Sequence, residues 1–294
     1  MSTLGTSFSL VALTLLAGVC PAQAGNDRPV DLTDMVLIPA GEVTLGNDQG
    51  NAASKPRHKV YLDAFYIDKF EVTNEKFARF LNEHGRMKAE RGFVFDPDGK
   101  MICRPDFIRL ENGQWRPAPG RGRFPVVSVT WHGADTYARF CGKRLPTDAE
   151  WEKAARGGTD TPWFFGDDPS LLDDYAWHYG NSPHETHEVG LKKPNPFGLY
   201  DVYGNVYEVV SDWYSDSYYA KSSDRNPKGP ETGRYHIRRG GSYYYSAMAG
   251  CNSWQRVTTQ IGAEPEETIV DSNWGFRVAA DVPQAGMDQA RKKE

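Results

Sequence analysis

The segment from Tyr200 to Glu208 contains residues well suited to hold a metal ion. Asp201 and Glu208 flank the Gly204-Asn205 pair, so one carboxylate lies on each side of a tight turn. A hard cation such as calcium prefers carboxylate and carbonyl oxygens supplied by a loop of this kind. The alternative is an ordinary turn, in which Asp201 accepts hydrogen bonds from the backbone.

A second segment, Gly240–Cys251, carries hydroxyl, phenol and thiol groups that could act on a substrate. Two glycines precede a serine and a run of three tyrosines, and a cysteine ends the segment. Glycines allow the backbone to come close to another segment or to a ligand. We therefore expect any chemistry near Gly240, Gly241, Ser242, Tyr243, Tyr244, Tyr245 and Cys251.

The composition excludes several classes of protein. The chain of 294 residues has a formal net charge of -5 and thus no basic footprint for nucleic acid. Its 29 glycines and 19 prolines disfavour a helical bundle, and its 13% aromatic residues favour a loop-rich fold held by aromatic packing. No internal repeat or linker-like change of composition divides the chain, so we predict one domain.

The first 24 residues have the pattern of a secretory signal peptide. Phe8–Val19 is an apolar run too short to span a bilayer comfortably, and Ala22-Gln23-Ala24 supplies the small residues of a cleavage site. We expect cleavage after Ala24. A lipoprotein anchored through Cys20 is the alternative, but the bulky Val19 before it is unlike a lipoprotein signal. The mature protein is expected to be periplasmic or secreted, without a membrane span.

Three regions follow the predicted signal peptide. They are a polar leader over residues 25–34, the domain over residues 35–281 and a polar tail over residues 282–294. Cleavage would leave Cys103, Cys141 and Cys251, so at most one disulfide could form. A disulfide between Cys103 and Cys251 stays open as one arrangement.

Three helices are predicted from their capping residues. Thr73 is expected to cap a helix that ends near His84, and Thr130 to cap a helix that ends at Gly142. The sequence Thr147-Asp148-Ala149-Glu150 has the pattern of a capping box and begins the third helix.

Short strands are expected around these helices. Arg91–Arg123 is rich in proline, glycine and aspartate, and we interpret it as a surface excursion with a hairpin at Asn112-Gly113. The predicted strands are Met35–Gly41, His58–Ile67, Tyr235–Ser242 and Asn273–Ala279.

Ordered motifs along the chain resemble those of the formylglycine-generating enzymes, also called sulfatase-modifying factors. The resemblance covers about Met35 to Asp281. It implies a single α+β domain with little regular secondary structure, distantly similar to C-type lectins. The motifs are Met35–Gly41, Phe65–Asn74, Pro125–Trp131, Gly142–Glu152, Gly198–Asn205, Arg239–Ser242 and Gly275–Arg277.

The resemblance implies an activity that the residues do not fully support. The family enzyme oxidises a substrate cysteine to formylglycine with oxygen and copper, which two cysteines after the Gly-Gly-Ser turn hold. Here Tyr245 stands at the first cysteine position, and the second falls on Gly250, or on Cys251 if one residue is inserted. Soft Cu(I) needs a pair of thiolates, and a phenol is a poor substitute. The substitution therefore argues against copper-dependent formylglycine formation.

The chain looks most like a branch of secreted bacterial members that lack the cysteine pair. One such member acts in periplasmic maturation of the pyoverdine chromophore, and another group serves as structural lipoproteins. The resemblance also implies calcium bound by two side chains and two backbone carbonyls, and it leaves any redox metal unidentified. The calcium positions of the family fall on Asp201, Gly204, Val206 and Glu208.

Candidate roles follow for the residues at the family's catalytic cleft. The candidate catalytic residues are Ser242, Tyr245 and Cys251, and the candidate substrate-binding residues are Tyr243, Tyr244 and Arg256. A cation such as Arg256 would be needed to lower the pKa of the Cys251 thiol. Aromatic packing around a core turn, with Cys251 as a small buried residue, is the alternative.

Two polar groups could add a metal ligand or a general base. Each is also explained as an ordinary solvated loop, which we favour because no helix fixes its geometry. The groups are His178, His184 and His187, and Glu264, Glu266 and Glu267.

Three functions stand as hypotheses. The first is an exported tailoring enzyme of the oxidoreductase type that acts on a small molecule or peptide without a copper dithiolate. The second is a non-catalytic binding or structural module stabilised by calcium. The third is true formylglycine formation. The oligomeric state is left open by the sequence.

Overall fold

The computed structural model describes residues 30–85, 87–182, 184–245, 250–258 and 270–283. The predicted signal peptide and most of the predicted tail lie outside these residues. Short helices and many short strands make up the described chain, which confirms the predicted α+β class. In these ranges, no helix has the length and apolar character needed to cross a membrane.

The α-helices begin where the sequence predicts them. They are α1 (Asn74–Glu83), α2 (Trp131–Phe140) and α3 (Asp148–Arg156). Short 3-10 turns lie at Ala52–Ser54, Pro169–Asp174 and Tyr219–Lys221.

Threonine caps explain why each helix starts at its position. The hydroxyls of Thr73, Thr130 and Thr147 each accept a hydrogen bond from a backbone N–H in the first turn. The Glu150 carboxylate accepts a hydrogen bond from the backbone N–H of Thr147 and completes the capping box. α3 ends at Gly157, whose left-handed backbone (φ 57°) favours glycine.

Short strands connect the helices and form small sheets. In chain order they are β1 (Met35–Ile38), β2 (Gly41–Leu45), β3 (His58–Leu62), β4 (Phe65–Asp68), β5 (Lys88–Glu90), β6 (Phe93–Phe95), β7 (Met101–Cys103), β8 (Ile108–Glu111), β9 (Gln114–Pro117), β10 (Tyr207–Trp213), β11 (His236–Arg239), β12 (Trp274–Gly275) and β13 (Ala279–Asp281).

The sheet built on β10 positions the segments of interest. β10 begins two residues after Asn205, and it runs antiparallel to β11 and parallel to β12. It therefore fixes the Asp201–Glu208 turn beside the glycines that follow β11. The other sheets are β1-β4-β13, β2-β3, β5-β6-β7 and β8-β9.

Three predictions from the sequence are corrected by the structure. Asn273–Ala279 is not one strand, because β12 pairs with β10 whereas β13 pairs with β4 in another sheet. His58–Ile67 is not one strand, because β3 and β4 pair with different partners and lie in different sheets. The interpretation of Arg91–Arg123 as a surface excursion is wrong in part: most of the segment is exposed or partly exposed, but Val94, Ile102, Cys103, Ile108 and Trp115 are buried in a core cluster. The hairpin at Asn112-Gly113 is confirmed: both residues have positive φ, as a tight turn requires.

Two clusters of buried side chains form the core. The first is built around Trp151 of α3 and Tyr203 of the candidate turn, and it includes Cys251. The second lies between α1 and α2. It includes Phe77 and Phe276, whose ring centroids are 6.2 Å apart, together with side chains from residues 94–115. The aromatic packing expected from the composition is present in both.

A network of buried ion pairs joins α3 to β11 and to the segment after it. The Arg239 guanidinium is fully buried and pairs with Asp148 at 2.8 Å and with Glu152. Arg156 pairs with the same Glu152 at 2.6 Å. Burial raises the pKa of Glu152, but Arg156 and Arg239 outweigh burial and hold it below its usual value.

Asp212 is a buried carboxyl that such pairs do not neutralise. Burial and then the neighbouring Asp148 raise the pKa of Asp212 to about 7, although the Asp148 N–H and the Ser211 hydroxyl donate to it. The folded protein thus binds a proton that the unfolded chain releases near pH 4. This contribution to stability is present below about pH 4 and is lost as the pH rises through about 7.

We predict that Asp212→Asn reduces the loss of stability between pH 5 and pH 8. The asparagine oxygen can still accept both hydrogen bonds, so the variant removes the charge and keeps the contacts. The free energy of urea unfolding of the wild type should fall over this range by about 3 kcal/mol more than that of the variant. Asp216→Asn, an exposed site, is the matched control. Identical pH profiles for wild type and Asp212→Asn would contradict the prediction.

Candidate functional site

The Asp201–Glu208 turn adopts a backbone conformation that few residues tolerate. Asp201 (φ 54°), Gly204 (φ 77°) and Asn205 (φ 51°) are all left-handed. A Cβ on Gly204 would lie 2.1 Å from the carbonyl oxygen of Trp177. Glycine is therefore required there by contact as well as by conformation.

Asn205 is fully buried and links this turn to other segments. Its backbone N–H donates to Trp177 (2.8 Å), and its backbone oxygen accepts from the Tyr243 N–H (2.9 Å). Its side-chain oxygen accepts from the His187 N–H (3.0 Å), and its side-chain N–H group donates to Glu71 (2.6 Å). One residue thus connects the loop that precedes α1, the loop around residues 177–187 and the tyrosine run.

Asn205→Ala should therefore destabilise the protein by about 3 kcal/mol, because Glu71 and the His187 backbone lose buried partners and alanine is strained in the left-handed region. Urea unfolding measures the loss. Asn226→Ala is the matched control, since Asn226 is also left-handed (φ 44°) but hydrogen-bonds to the exposed Asp63. It should cost about 1 kcal/mol. Equal losses in the two variants would mean that the contacts of Asn205 are not exceptional.

Three carboxyl groups and one guanidinium lie buried around the turn. Arg277 pairs with both oxygens of Glu208, at 2.6 and 2.7 Å, and Trp151 Nε1 donates to the same carboxylate. Burial, and then the charges of Asp201 and Glu208, raise the pKa of Glu71 well above its usual range. Burial raises the pKa of Asp201 to about 6, with the Gly190 N–H acting against it. The three carboxyl groups of Glu71, Asp201 and Glu208 thus outnumber the single guanidinium that could balance their charge.

The predicted calcium ligands fit a cation in part. Oδ2 of Asp201 accepts from the Gly190 N–H, whereas its buried Oδ1 has no hydrogen-bond partner among the described residues. Glu208, by contrast, is fully engaged by Arg277 and Trp151, and calcium would have to displace them. No group of three metal-binding side chains is found in the described parts of the chain. Asp201 is therefore the ligand that fits best.

Cys251 is buried in the first core cluster and is protonated. Burial raises the pKa of its thiol to about 12, although the backbone N–H groups of Ser242 and Gly204 act in the opposite direction. A Cβ on Gly241 would lie 2.6 Å from its sulfur, so the Gly-Gly-Ser turn packs directly on the thiol. The three cysteines in the described chain are free, and Cys103 and Cys251 lie in different core clusters.

The structure does not bring Arg256 to this thiol. Arg256 is buried, pairs with Asp148 at 3.0 Å, donates to the Ala53 carbonyl at 2.5 Å and lies 4.0 Å from the Tyr219 ring centroid. Its guanidinium is therefore committed to the core network. Arg256 therefore does not supply the cation that a Cys251 thiolate would require.

The tyrosine run divides into a buried and an exposed part. Ser242 and Tyr243 are buried, and the Ser242 Oγ accepts from the Tyr244 N–H at 3.3 Å. Tyr244 and Tyr245 are 55% and 43% exposed. Beneath them, the Tyr207 ring contacts Tyr245 edge to face, with centroids 5.4 Å apart. The structure thus joins Ser242, Tyr243, Tyr244, Tyr245 and Cys251 in one place and leaves only the last two tyrosines accessible.

Tyr179 lies at the same surface, although the sequence analysis did not single it out. It is 54% exposed, and its backbone N–H donates to the Tyr245 carbonyl at 3.1 Å. Its ring contacts His184 at 4.8 Å, and His184 in turn contacts Tyr244 at 6.3 Å. No local sequence signal marks Tyr179, because only the fold brings residues 177–187 beside the tyrosine run.

The remaining polar candidates do not converge on a metal. His178 hydrogen-bonds to Asp173 at 2.7 Å, His187 stacks on Trp177 at 3.7 Å, and His184 belongs to the tyrosine surface. The predicted general-base residues Glu264, Glu266 and Glu267 lie outside the described residues.

A cavity of about 480 Å³ lies elsewhere, with none of the predicted site residues in its lining. Its central cation, Arg144, forms two hydrogen bonds of 2.7 Å with Glu150 and another of 2.8 Å with Asp281. Because these charges satisfy one another, volume alone does not make this cavity the better candidate.

Comparisons with known proteins agree with the fold described above. The family model for the sulfatase-modifying factor enzyme 1-like domain matches residues 21–282. The formylglycine-generating enzyme of Streptomyces coelicolor is 35% identical, over 91% of this chain and 96% of the relative. Treponema denticola variable protein 1 (28% identity, 84% and 95% covered) and PvdO from Pseudomonas aeruginosa (27% identity, 84% and 94% covered) each superpose with a TM-score of 0.65. The chain therefore belongs to the family of proteins with a sulfatase-modifying factor enzyme 1-like domain.

Proposed function

We propose that this chain is an exported member of the family that modifies a small molecule or peptide at the surface of Tyr244 and Tyr245, by chemistry of the oxidoreductase type that uses no copper dithiolate. The observation that carries the proposal is the state of the two cysteine positions. By the resemblance, the first position falls on Tyr245, an accessible phenol, and the second falls on Gly250 or on Cys251, whose buried thiol has a pKa of about 12.

The thiol chemistry of Cys251 supports this choice over formylglycine formation. Cu(I) is held by thiolates, and a single thiol with a pKa of about 12 is a poor ligand at neutral pH. Tyr245 offers a hard oxygen that matches soft copper badly. The 35% identity to a formylglycine-generating enzyme nevertheless makes that activity the first alternative to test.

The direct test offers the purified mature protein a cysteine-containing sulfatase peptide with copper and oxygen. We expect no mass change of the peptide, whereas the Streptomyces coelicolor enzyme as positive control converts it. In parallel, exported metabolites of cells with and without the gene are compared by mass spectrometry. An unmodified precursor should accumulate in the deletion strain and disappear on complementation. Conversion of the peptide at a rate near that of the control enzyme would overturn the proposal.

A non-catalytic module stabilised by calcium is the second candidate, and one observation favours it. The buried Oδ1 of Asp201, which has no hydrogen-bond partner among the described residues, would gain one from a cation, and the surrounding excess of carboxyl groups would be neutralised. Elemental analysis of the purified protein separates this candidate from the first. Calcium retained by the wild type and lost in Asp201→Asn, together with unchanged metabolites in the deletion strain, would favour the module.

A further inference from the structure

Three tyrosines from two segments that are far apart in sequence lie together on the surface, and each residue is about half exposed. Tyr179 comes from the loop around residues 177–187, and Tyr244 and Tyr245 follow the Gly-Gly-Ser turn. Large aromatic side chains are usually covered in a folded domain, so a cluster of open ones marks a binding surface more often than chance placement. We call Tyr179, His184, Tyr244 and Tyr245 the tyrosine platform.

The rings of the tyrosine platform form a continuous chain of edge contacts. Tyr179 meets His184 at 4.8 Å and an interplanar angle of 82°, and Tyr244 meets Tyr245 at 5.7 Å and 76°. Perpendicular packing uses the edge of one ring in each pair and does not stack the tyrosine faces on one another. Rings held in this way are both fixed in position and still open to a further partner.

The backbone conformation of His184 indicates that the tyrosine platform is a specific arrangement and not a chance grouping of exposed rings. His184 has a left-handed conformation (φ 59°), which is uncommon for a residue other than glycine. Its N–H donates to the Ser182 carbonyl at 2.7 Å, and the neighbouring His187 is held by Asn205. The loop thus keeps a conformation of raised energy while it presents the His184 ring between Tyr179 and Tyr244. Strain of this kind concentrates at ligand sites.

The chemistry of the tyrosine platform selects its ligand. Phenol rings offer flat apolar faces with a hydroxyl at the tip, and aromatic pairs gain attraction beyond the area that they bury. No guanidinium or ammonium group lies over a platform ring in the described chain, so an anionic headgroup has no partner over these rings and their faces stay free for stacking. A planar aromatic ring without an anionic group therefore suits this surface.

We propose that the tyrosine platform binds a planar aromatic ring of a low-molecular-weight compound by stacking, and that Tyr179 and Tyr244 are its main contacts. This inference rests on the proposed function, since it names the substrate class of the same surface. It adds Tyr179 and His184, from a separate loop, to the residues that recognise the substrate.

The experiment compares p-cresol with 4-methylcyclohexanol, which has the same substituents on a saturated ring. Binding to the full mature protein is measured by saturation-transfer NMR titration. We expect p-cresol to bind and the saturated ring to bind at least threefold more weakly. Tyr179→Ala and Tyr244→Ala should each weaken p-cresol binding about threefold to tenfold, the value of one aromatic contact. Tyr179→Phe and Tyr244→Phe should keep the affinity, because they keep the ring.

Leu37→Ala is the control, because Leu37 is half-exposed on β1 and lies outside the platform. It should leave binding unchanged, and circular dichroism checks that every variant folds. Equal binding of the two probes, or no effect of either alanine variant, would overturn the inference. If a tyrosine-containing hexapeptide binds and p-cresol does not, the assignment to a low-molecular-weight compound is wrong.

The result is separable from the fate of the proposed function. Aromatic binding that depends on Tyr179 and Tyr244, with no metabolite changed in the deletion strain, would support the platform and reject the tailoring activity. A changed metabolite, with p-cresol binding unaffected by the alanine variants, would reject the platform alone.

Discussion

The buried side chain of Asn205 is the constraint on which the rest of the site depends. Its amide group and backbone bind Glu71, Trp177, His187 and Tyr243, so four segments meet at one left-handed residue. Glu71 and Tyr243 are buried and Trp177 and His187 are partly buried, so the protein would lose stability if these polar groups were left unpaired. The position of the exposed tyrosines therefore depends on the buried contacts of Asn205 beneath them.

The buried charges of this protein are used mainly to hold the fold. Arg277 is occupied by Glu208, Arg239 by Asp148 and Glu152, and Arg256 by Asp148. None of these guanidinium groups is available to stabilise a thiolate at Cys251, and burial raises the pKa of that thiol. The electrostatic arrangement thus agrees with the proposed function, in which Tyr245 takes the position of a copper cysteine and Cys251 stays a protonated thiol. The carboxyl group of Asp201 is the exception, since one of its oxygens has no partner among the described residues.

Much of the fold could be predicted because its signals are local. The threonine caps placed the start of each helix, and Asn112-Gly113 placed a hairpin. The core role of residues 94–115 was missed, because burial of short strands between glycines and prolines depends on which distant helices cover them. The same limit applies to the candidate site. Ser242 and Cys251 could be selected from spacing and resemblance, whereas the burial of Arg256 and the position of Tyr179 beside the tyrosine run depend on contacts between segments far apart in sequence.

The central claim, that the family's thiol centre is protonated and closed in this chain, is tested most directly by the alkylation of individual cysteines. The folded protein is treated with iodoacetamide between pH 6 and pH 9, and each site is quantified by mass spectrometry. Cys141, which is partly exposed, serves as the internal reference. We predict that Cys251 stays unmodified in the folded protein and reacts fully after denaturation. Rapid modification of Cys251 in the folded protein at neutral pH would show an accessible thiolate and would contradict the account.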